Sequence, residues 1–368
     1  MVVEGKFRIK VVNTLKPETK YSFKVCSESK FGIGPESDLS DEIKTDKILS
    51  KRIKEDSQTI RPADTSSPEL YNLVMKKCAE GMRYVLGEPS SNQVDEKVLM
   101  LVGATGAGKT TLLNGIVNYI LGVQLEDDFR FELDLRTNVS QAYSQTSRVT
   151  AYTFYPMDGS RLPYPLTIID TPGFGDTRGI TFDKKIHQQI LDAVSIEEHS
   201  IKHLNGVGVV IQASSTRLTS TQNFIFDSIL KVFGNDVTSN IFLMMTFADG
   251  QDPPAISAVK KANVPYRSFF KFNNSALFAK PSISEGFTQL YWNLGMKSFD
   301  TFFAVFGDIK PVSVQQTKEV LIERQHLELL IEGLQSKINS GLDKIDALQI
   351  EEKLLKEKEE EMRISPTK

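Results

Sequence analysis

The sequence predicts an α/β fold built on a mostly parallel sheet, preceded by a partial β-sandwich fragment and followed by a long C-terminal helix. Three observations carry this expectation. Between about residues 98 and 306, apolar strand-like runs (VLMLVG, LTIID, VGVVIQ, IFLMMTF and SFFKFNNSA) alternate with helical stretches, as in a sheet flanked by helices. Residues 1–46 alternate with the period of strands instead. From about residue 313 to 362 a single helical pattern runs without a break.

In chain order, residues 1–46 come first. Phe7, Ile9 and Val11 share one parity, and Tyr21, Phe23 and Val25 form a second run. LKPETK between them supplies turn chemistry, GIGP after Phe31 a second turn, and residues 39–43 a last strand. Residues 47–96 read as a linker and a helix. The helix is placed over 68–88, where Leu70, Leu73, Val74, Lys77 and Cys78 fall at helical spacing. Residues 97–307 form the α/β domain, and 308–368 the helical or coiled-coil region. There Leu327, Leu334, Leu348 and Leu355 occupy one seven-residue register and Ile331, Ile338 and Ile345 its partner, with Gly341 interrupting the first. An amphipathic helix packing on its own domain fits that stretch equally well.

Composition bounds the function. With 40% hydrophobic and 25% charged residues among 368, the chain is an ordinary globular protein. A net charge of -3 gives no reason to expect nucleic acid or an anionic membrane as the main partner. Two distant cysteines, Cys26 and Cys78, argue against a disulfide framework or a thiolate metal site and for a reducing compartment. The termini show no signal-peptide, myristoyl or prenyl pattern, and the apolar runs are short for a membrane span. A cytoplasmic protein with no integral membrane segment is expected.

The strongest motif is GATGAGKT over residues 103–110, a G-x-x-x-x-G-K-[ST] phosphate loop. Glycines at 103, 106 and 108 let the backbone wrap an anion with its N–H groups turned inward, and Ala104, Thr105 and Ala107 complete that cradle. Lys109 is expected on β- and γ-phosphate oxygens, and Thr110 offers its hydroxyl to Mg²⁺, with Thr111 beside it. The loop follows the strand VLMLV and opens the helical pattern TLLNGIVNYIL, so helix-terminal N–H groups face the same anion. Further on, LTIIDTPGFGDT ends a strand in Asp170, a second Mg²⁺-organising carboxylate, and Gly173 can turn its N–H onto the γ-phosphate.

Two later segments suit a purine base. Asp249, at the end of IFLMMTF, can accept from the guanine N1–H and N2–H₂ groups, which adenine lacks. A backbone N–H at Ser275 or Ala276 can donate to guanine O6. Read together, these segments resemble the base-reading motifs of the GTPase superfamily, [NT]-K-x-D and S-A-K, with Phe247 in place of the first lysine and Leu277 in place of the second. The turn reading of Asp249 in DGQDPP stays open, as does an ATPase.

With DTPGFGDTRG and the RLT at residues 217–219, these motifs resemble the septin-like GTPases, especially the immunity-associated, avirulence-induced-gene branch. The resemblance implies a Ras-like P-loop GTPase domain that binds GTP or GDP with Mg²⁺ and dimerises across the nucleotide face. It also implies a first-switch threonine on Mg²⁺, Thr146 or Thr150, with Thr146 favoured by its place before VTAYTF. Lys109, Thr146 and Gly173 are then the catalytic set, and Thr110, Thr146 and Asp170 the metal set. Phe174 stands where many small GTPases carry a water-orienting glutamine, so slow hydrolysis is expected unless a partner supplies a group; Arg178 and Arg217 are possible donors.

The run Leu15, Pro17, Thr19, Tyr21, Phe23, Val25, then GIGPES, resembles the closing strands of a fibronectin type III domain, with Tyr21 at the tyrosine corner. A complete sandwich needs about 100 residues, more than residues 1–46 supply. Three functions compete: a slowly hydrolysing GTP switch that works as a homodimer or homo-oligomer through the nucleotide face and C-terminal helix, a coiled-coil scaffold with structural nucleotide, and an ATPase.

Overall fold

The computed structural model describes residues 15–63, 67–78, 83–89, 94–133, 148–175, 186, 188–190, 203–233, 235–280 and 285–364. It divides into two compact units, Met1–Val312 and Ser313–Lys368.

The first unit opens with short strands β1 (Lys20–Tyr21), β2 (Cys26–Ser29), β3 (Gly32–Glu36) and β4 (Ile43–Lys44). β2 and β3 form an antiparallel hairpin, and β1 pairs antiparallel with β4. GIGP therefore lies within β3, where a turn was expected; the reversal falls just before it, with Gly32 in the left-handed half of backbone space at φ 129°. The Tyr21 hydroxyl accepts a 2.8 Å hydrogen bond from the Lys16 N–H, a local lock across five residues. Val25, Phe31 and Ile33 stay exposed.

Helix α1 (Leu49–Glu55) leads into β5 (Gln58–Arg61), β6 (Glu69–Asn72), β7 (Lys76–Lys77) and β8 (Arg83–Leu86). The helix expected over 68–88 is thus absent from the described residues there, whose regular elements are the strands β6, β7 and β8. Leu70 and Leu73 are buried, but through sheet pairing: β6 runs parallel to β10 (Phe129–Glu132), and the Leu73 N–H donates to Glu132 O. A short apolar run reads equally as helix or strand, and a partner distant in sequence decided it. β5 completes a three-stranded sheet in the order β10-β6-β5.

The main sheet takes β9 (Lys97–Gly103), β11 (Thr150–Phe154), β12 (Leu166–Asp170), β14 (Gly206–Gln212), β15 (Ile241–Thr246) and β16 (Ser268–Lys271); the two-residue β13 (His203–Leu204) precedes β14 outside it. Its order is β16-β15-β14-β9-β12-β11-β8-β7. From β16 to β12 every neighbour is parallel, whereas β11 runs antiparallel to β12. β7 and β8, from the stretch read as linker and helix, extend this sheet at its far edge. The four inner parallel strands β9, β12, β14 and β15 are apolar and almost wholly buried, as strands covered on both faces must be, while the edge strand β16 buries only Phe270.

Helices α2 (Lys109–Ile120), α3 (Ser220–Phe233), α4 (Pro254–Lys261) and α5 (Glu285–Gly307) lie between or after these strands. Phe299, Phe302, Phe303 and Phe306 of α5 recur at helical spacing and pack on Tyr119, Phe242, Phe270 and Phe272. Each such ring buries a large apolar area, and their edge-to-face pairs add about 0.5–1.5 kcal/mol each.

The second unit is α6 (Val314–Ile364), 51 residues and about 75 Å long. No helix among the described residues is long and apolar enough to cross a membrane.

Candidate nucleotide-binding site

Parallel strands bring their C-terminal ends to one edge of a sheet, and ligands bind there in open α/β folds. Here that edge gathers the ends of β9, β12, β15 and β16, and each end carries one of the motifs.

The loop after β9 turns straight into α2. Gly103 allows the closest approach: a Cβ there would sit 2.7 Å from Val210 O. Gly108, at φ 91°, makes the left-handed turn that starts the helix without a side-chain cap. Lys109 is buried and donates to Gly103 O at 2.9 Å and Ala104 O at 3.1 Å. Burial pushes its ammonium down to about 8, against the opposing pull of the Asp170 carboxylate. Asp170 itself is fully buried at the tip of β12.

The segment after Asp170 closes onto the loop. Thr171 Oγ1 donates to Leu101 O at 2.8 Å. The Thr105 N–H donates to Phe174 O at 2.8 Å and the Phe174 N–H to Gly103 O at 3.2 Å, so a parallel β-bridge joins the two segments. Gly173 lies so near Thr105 that a Cβ would stand 2.5 Å from its hydroxyl. Thr105 Oγ1 is buried and has no hydrogen-bond partner among the described residues. Phe174 is buried edge-on against Phe224 of α3.

The base-side segments are wired to the same loop. Thr246 Oγ1 donates to Ala107 O at 2.6 Å. Phe247 follows with φ 54° and an exposed ring, an uncommon conformation for a bulky residue. A Cβ on Gly108 would lie 3.6 Å from that ring, so Phe247 flanks the loop where a lysine was the familiar residue. Asn273 Nδ2 donates to Ala248 O at 2.9 Å, joining the loops after β15 and β16.

Asp249 is exposed, and its Oδ1 accepts from the Gln251 N–H at 2.9 Å, so part of the carboxylate serves the turn. Lys271 Nζ holds that turn through Gly250 O at 2.8 Å. The Ser275 N–H and hydroxyl both donate to Asn273 Oδ1, at 3.2 and 2.7 Å. Of the two residues expected to offer an N–H to the base, Ser275 is therefore committed. Ala276, third in the 3₁₀ turn Asn274–Phe278 with Asn273 as its cap, stands at the position of the first internal donor of that turn, so its N–H is engaged as well.

Gly103, Ala104, Thr105, Gly106, Ala107, Gly108, Lys109, Thr110 and Thr111 thus share one edge with Asp170, Gly173, Asp249, Ser275 and Ala276. Thr146 and Arg178 lie outside the described residues. Thr150 is the first residue of β11, and Arg217 is exposed.

Sequence reading missed the supports. Arg130 on β10 is fully buried; its guanidinium donates to Leu277 O at 2.8 Å, Asp127 O at 2.8 Å, Phe129 O at 2.6 Å and Leu125 O at 3.0 Å and stacks on Trp292. It pins the base-side loop to β10. Asn118 of α2 clamps both backbone groups of Phe131, and Asn114 Oδ1 accepts from the Leu133 N–H. Two asparagines one turn apart on an apolar helix face were the available signal, because buried amides demand partners.

Fold and site together define a P-loop nucleotide-binding α/β domain. Residues 97–258 match the model of the AIG1 family, the avirulence-induced-gene type that the motifs resemble. That stretch holds the phosphate loop, Asp170 and Asp249 and stops before Ser275. No curated protein matches the chain. Among solved structures, Toc33 from Arabidopsis thaliana in complex with GDP and Mg²⁺ is similar at 15% identity over 60% of this chain and 88% of that one, with a TM-score of 0.37. Its complex with Mg²⁺ and GMPPNP gives 14%, 59%, 88% and 0.35. A structure described as showing that dimerisation is important for the GTPase activity of the chloroplast translocon components atToc33 and psToc159 gives 14%, 59%, 86% and 0.37. Superpositions this loose transfer no function.

Proposed function

We propose that residues 97–307 bind a guanine nucleotide with Mg²⁺, hydrolyse GTP slowly, and couple turnover to dimerisation across the nucleotide face. The observation that carries this reading is the wiring of the base-side strand end to the phosphate loop through Thr246 and Ala107. The link holds the base-side strand end against the phosphate loop, so that one nucleotide can span both.

The residues suit the ligand. Lys109 can exchange two carbonyl partners for β- and γ-phosphate oxygens, and the buried Thr105 hydroxyl is an orphan that a phosphate oxygen or water would satisfy. Thr110 and Asp170 are hard oxygen donors of the kind Mg²⁺ takes one or two of, beside phosphates. When bound, Mg²⁺ neutralises charge on those phosphates. Asp249 is proposed to read guanine, with the Phe247 ring flanking, and the Ser275–Ala276 segment to meet its O6. Thr146 is proposed as the first-switch metal ligand. Phe174, packed into the core, offers nothing that orients water, which supports slow turnover by a single chain.

Residues 1–46 are read as the closing strands of a fibronectin type III-like sandwich. The Tyr21 bond to the Lys16 backbone supports this, as a tyrosine corner makes such a bond. A septin-like type and a cytoplasmic location remain part of the same reading.

An ATP reading is favoured by one observation, the partial commitment of Asp249 to its turn. Competition of GTP, ATP and XTP against a fluorescent guanine nucleotide decides between them. Displacement by GTP at concentrations where ATP has no effect supports the guanine reading, and equal displacement overturns it.

A further inference from the structure

Helix α6 presents an apolar stripe to solvent, interrupted only at Gly341 and Glu352. Leu327, Ile331, Leu334, Ile338, Ile345, Leu348 and Leu355 are each between 52% and 64% exposed, high values for side chains of this kind recurring in strict four-three spacing. The spacing places Ile331, Ile338 and Ile345 at the first core position of a heptad, and Leu327, Leu334, Leu348 and Leu355 at the fourth. We propose that this stripe pairs with the same stripe of a second copy of the chain, as a parallel, in-register, two-stranded coiled coil over residues 327–355.

Two strands follow from side-chain shape. β-Branched residues at the first core position with leucine at the fourth pack well in a parallel pair, whereas leucine first and isoleucine fourth favour larger bundles. Direction and register follow from Gly341, which occupies a fourth position where leucine is expected. In a parallel, in-register pair the two glycines face one another, and the loss is confined to one layer. In an antiparallel pair each layer joins a first position to a fourth position of the partner. Each Gly341 then faces a first-position side chain, and two layers carry a hole.

Charge supports the same register. Glu351 and Lys356 flank the core at positions that meet across a parallel pair, twice per dimer. Opposed to this, Glu352 falls at a first core position and would face its counterpart. Its carboxylate is bonded to Lys356 one turn along at 2.8 Å, which lessens the repulsion. The apolar part of the seam is therefore residues 327–348, about three heptads with the vacant Gly341 layer among them, and the pairing is weak and concentration-dependent.

The test uses the full chain without nucleotide or Mg²⁺, so that pairing through the nucleotide face does not contribute. With Cys26→Ser and Cys78→Ser as background, Leu348→Cys is equilibrated in a glutathione redox buffer. A disulfide-linked dimer is expected, and much less of one from Ser336→Cys on the outer face. A dimer by sedimentation that Leu348→Cys does not cross-link overturns the parallel register; equal cross-linking from both sites overturns the seam. Gly341→Leu fills the vacant layer and should tighten the dimer at least about tenfold. An unchanged or weakened dimer, or a trimer or tetramer, overturns the proposal. Failure here leaves the nucleotide reading untouched, since base competition is measured on a single chain.

Discussion

The Thr246 hydroxyl donates a 2.6 Å hydrogen bond to the Ala107 carbonyl, tying the end of β15 to the middle of the phosphate loop. Both residues are buried, so neither group has water as an alternative partner. Thr246→Val keeps the shape and leaves the Ala107 carbonyl unsatisfied, at about 1–3 kcal/mol. The expected result is a lower melting temperature and weaker binding of every triphosphate, with base preference retained. Fluorescent-nucleotide titration beside a thermal melt checks it; unaltered affinity would mean that the tether is only structural.

Lys109→Ala should remove triphosphate binding by at least about a hundredfold while the domain stays folded, because Lys109 brings charge and little packing. Wild-type affinity in the variant would exclude Lys109 from the phosphate site.

The depressed Lys109 pKa makes a pH prediction with a definite sign. Below about 8 the buried ammonium is charged and costs the folded state; between about 8 and its ordinary 10.5 the folded chain has lost the proton and the unfolded chain has not. The Lys109 contribution to stability therefore rises with pH across that window. Phosphate binding runs the other way, since it needs the ammonium. Affinity should be about tenfold weaker at pH 9 than at pH 7, and a flat profile would mean that another group carries the charge.

If Asp249 reads guanine, Asp249→Asn should move preference toward xanthine by more than about a hundredfold, because the amide can donate where the carboxylate only accepts. The amide oxygen can still accept from the Gln251 N–H, so the turn survives and recognition is separated from folding. Unchanged discrimination would assign the base to another residue.

Phe174 packs against Phe224, and its backbone bridges to Ala104 and its neighbours, so the residue after Gly173 serves the core. Specific GTPase activity should be low at high dilution and rise with protein concentration as a second chain supplies a missing group. Fast turnover at high dilution would reveal a water-orienting residue within one chain.

What was legible from sequence is local chemistry with a fixed spacing. The phosphate loop, the strand ending in Asp170 and the segment around Asp249 appear where their motifs put them, because backbone approach and strand-end charge are set within a few residues. The supports were not legible in that way. Arg130 acts through Leu277, far along the chain, and nothing near either residue in sequence announces the bond.

By itself the sequence determined that alternating apolar runs and helices would build a mostly parallel sheet, that a phosphate loop would sit between its first buried strand and the following helix, and that a heptad helix would end the chain. Each is a periodicity or a short-range steric demand. Only tertiary structure decided that residues 69–72 and 83–86 are strands, since their hydrogen-bond partners on β10 and β11 lie far away in sequence. It alone decided that the Ser275 N–H is spent on Asn273 and that Thr246 holds the loop. A buried polar group must find a partner, and which partner stands within reach is a property of the folded chain.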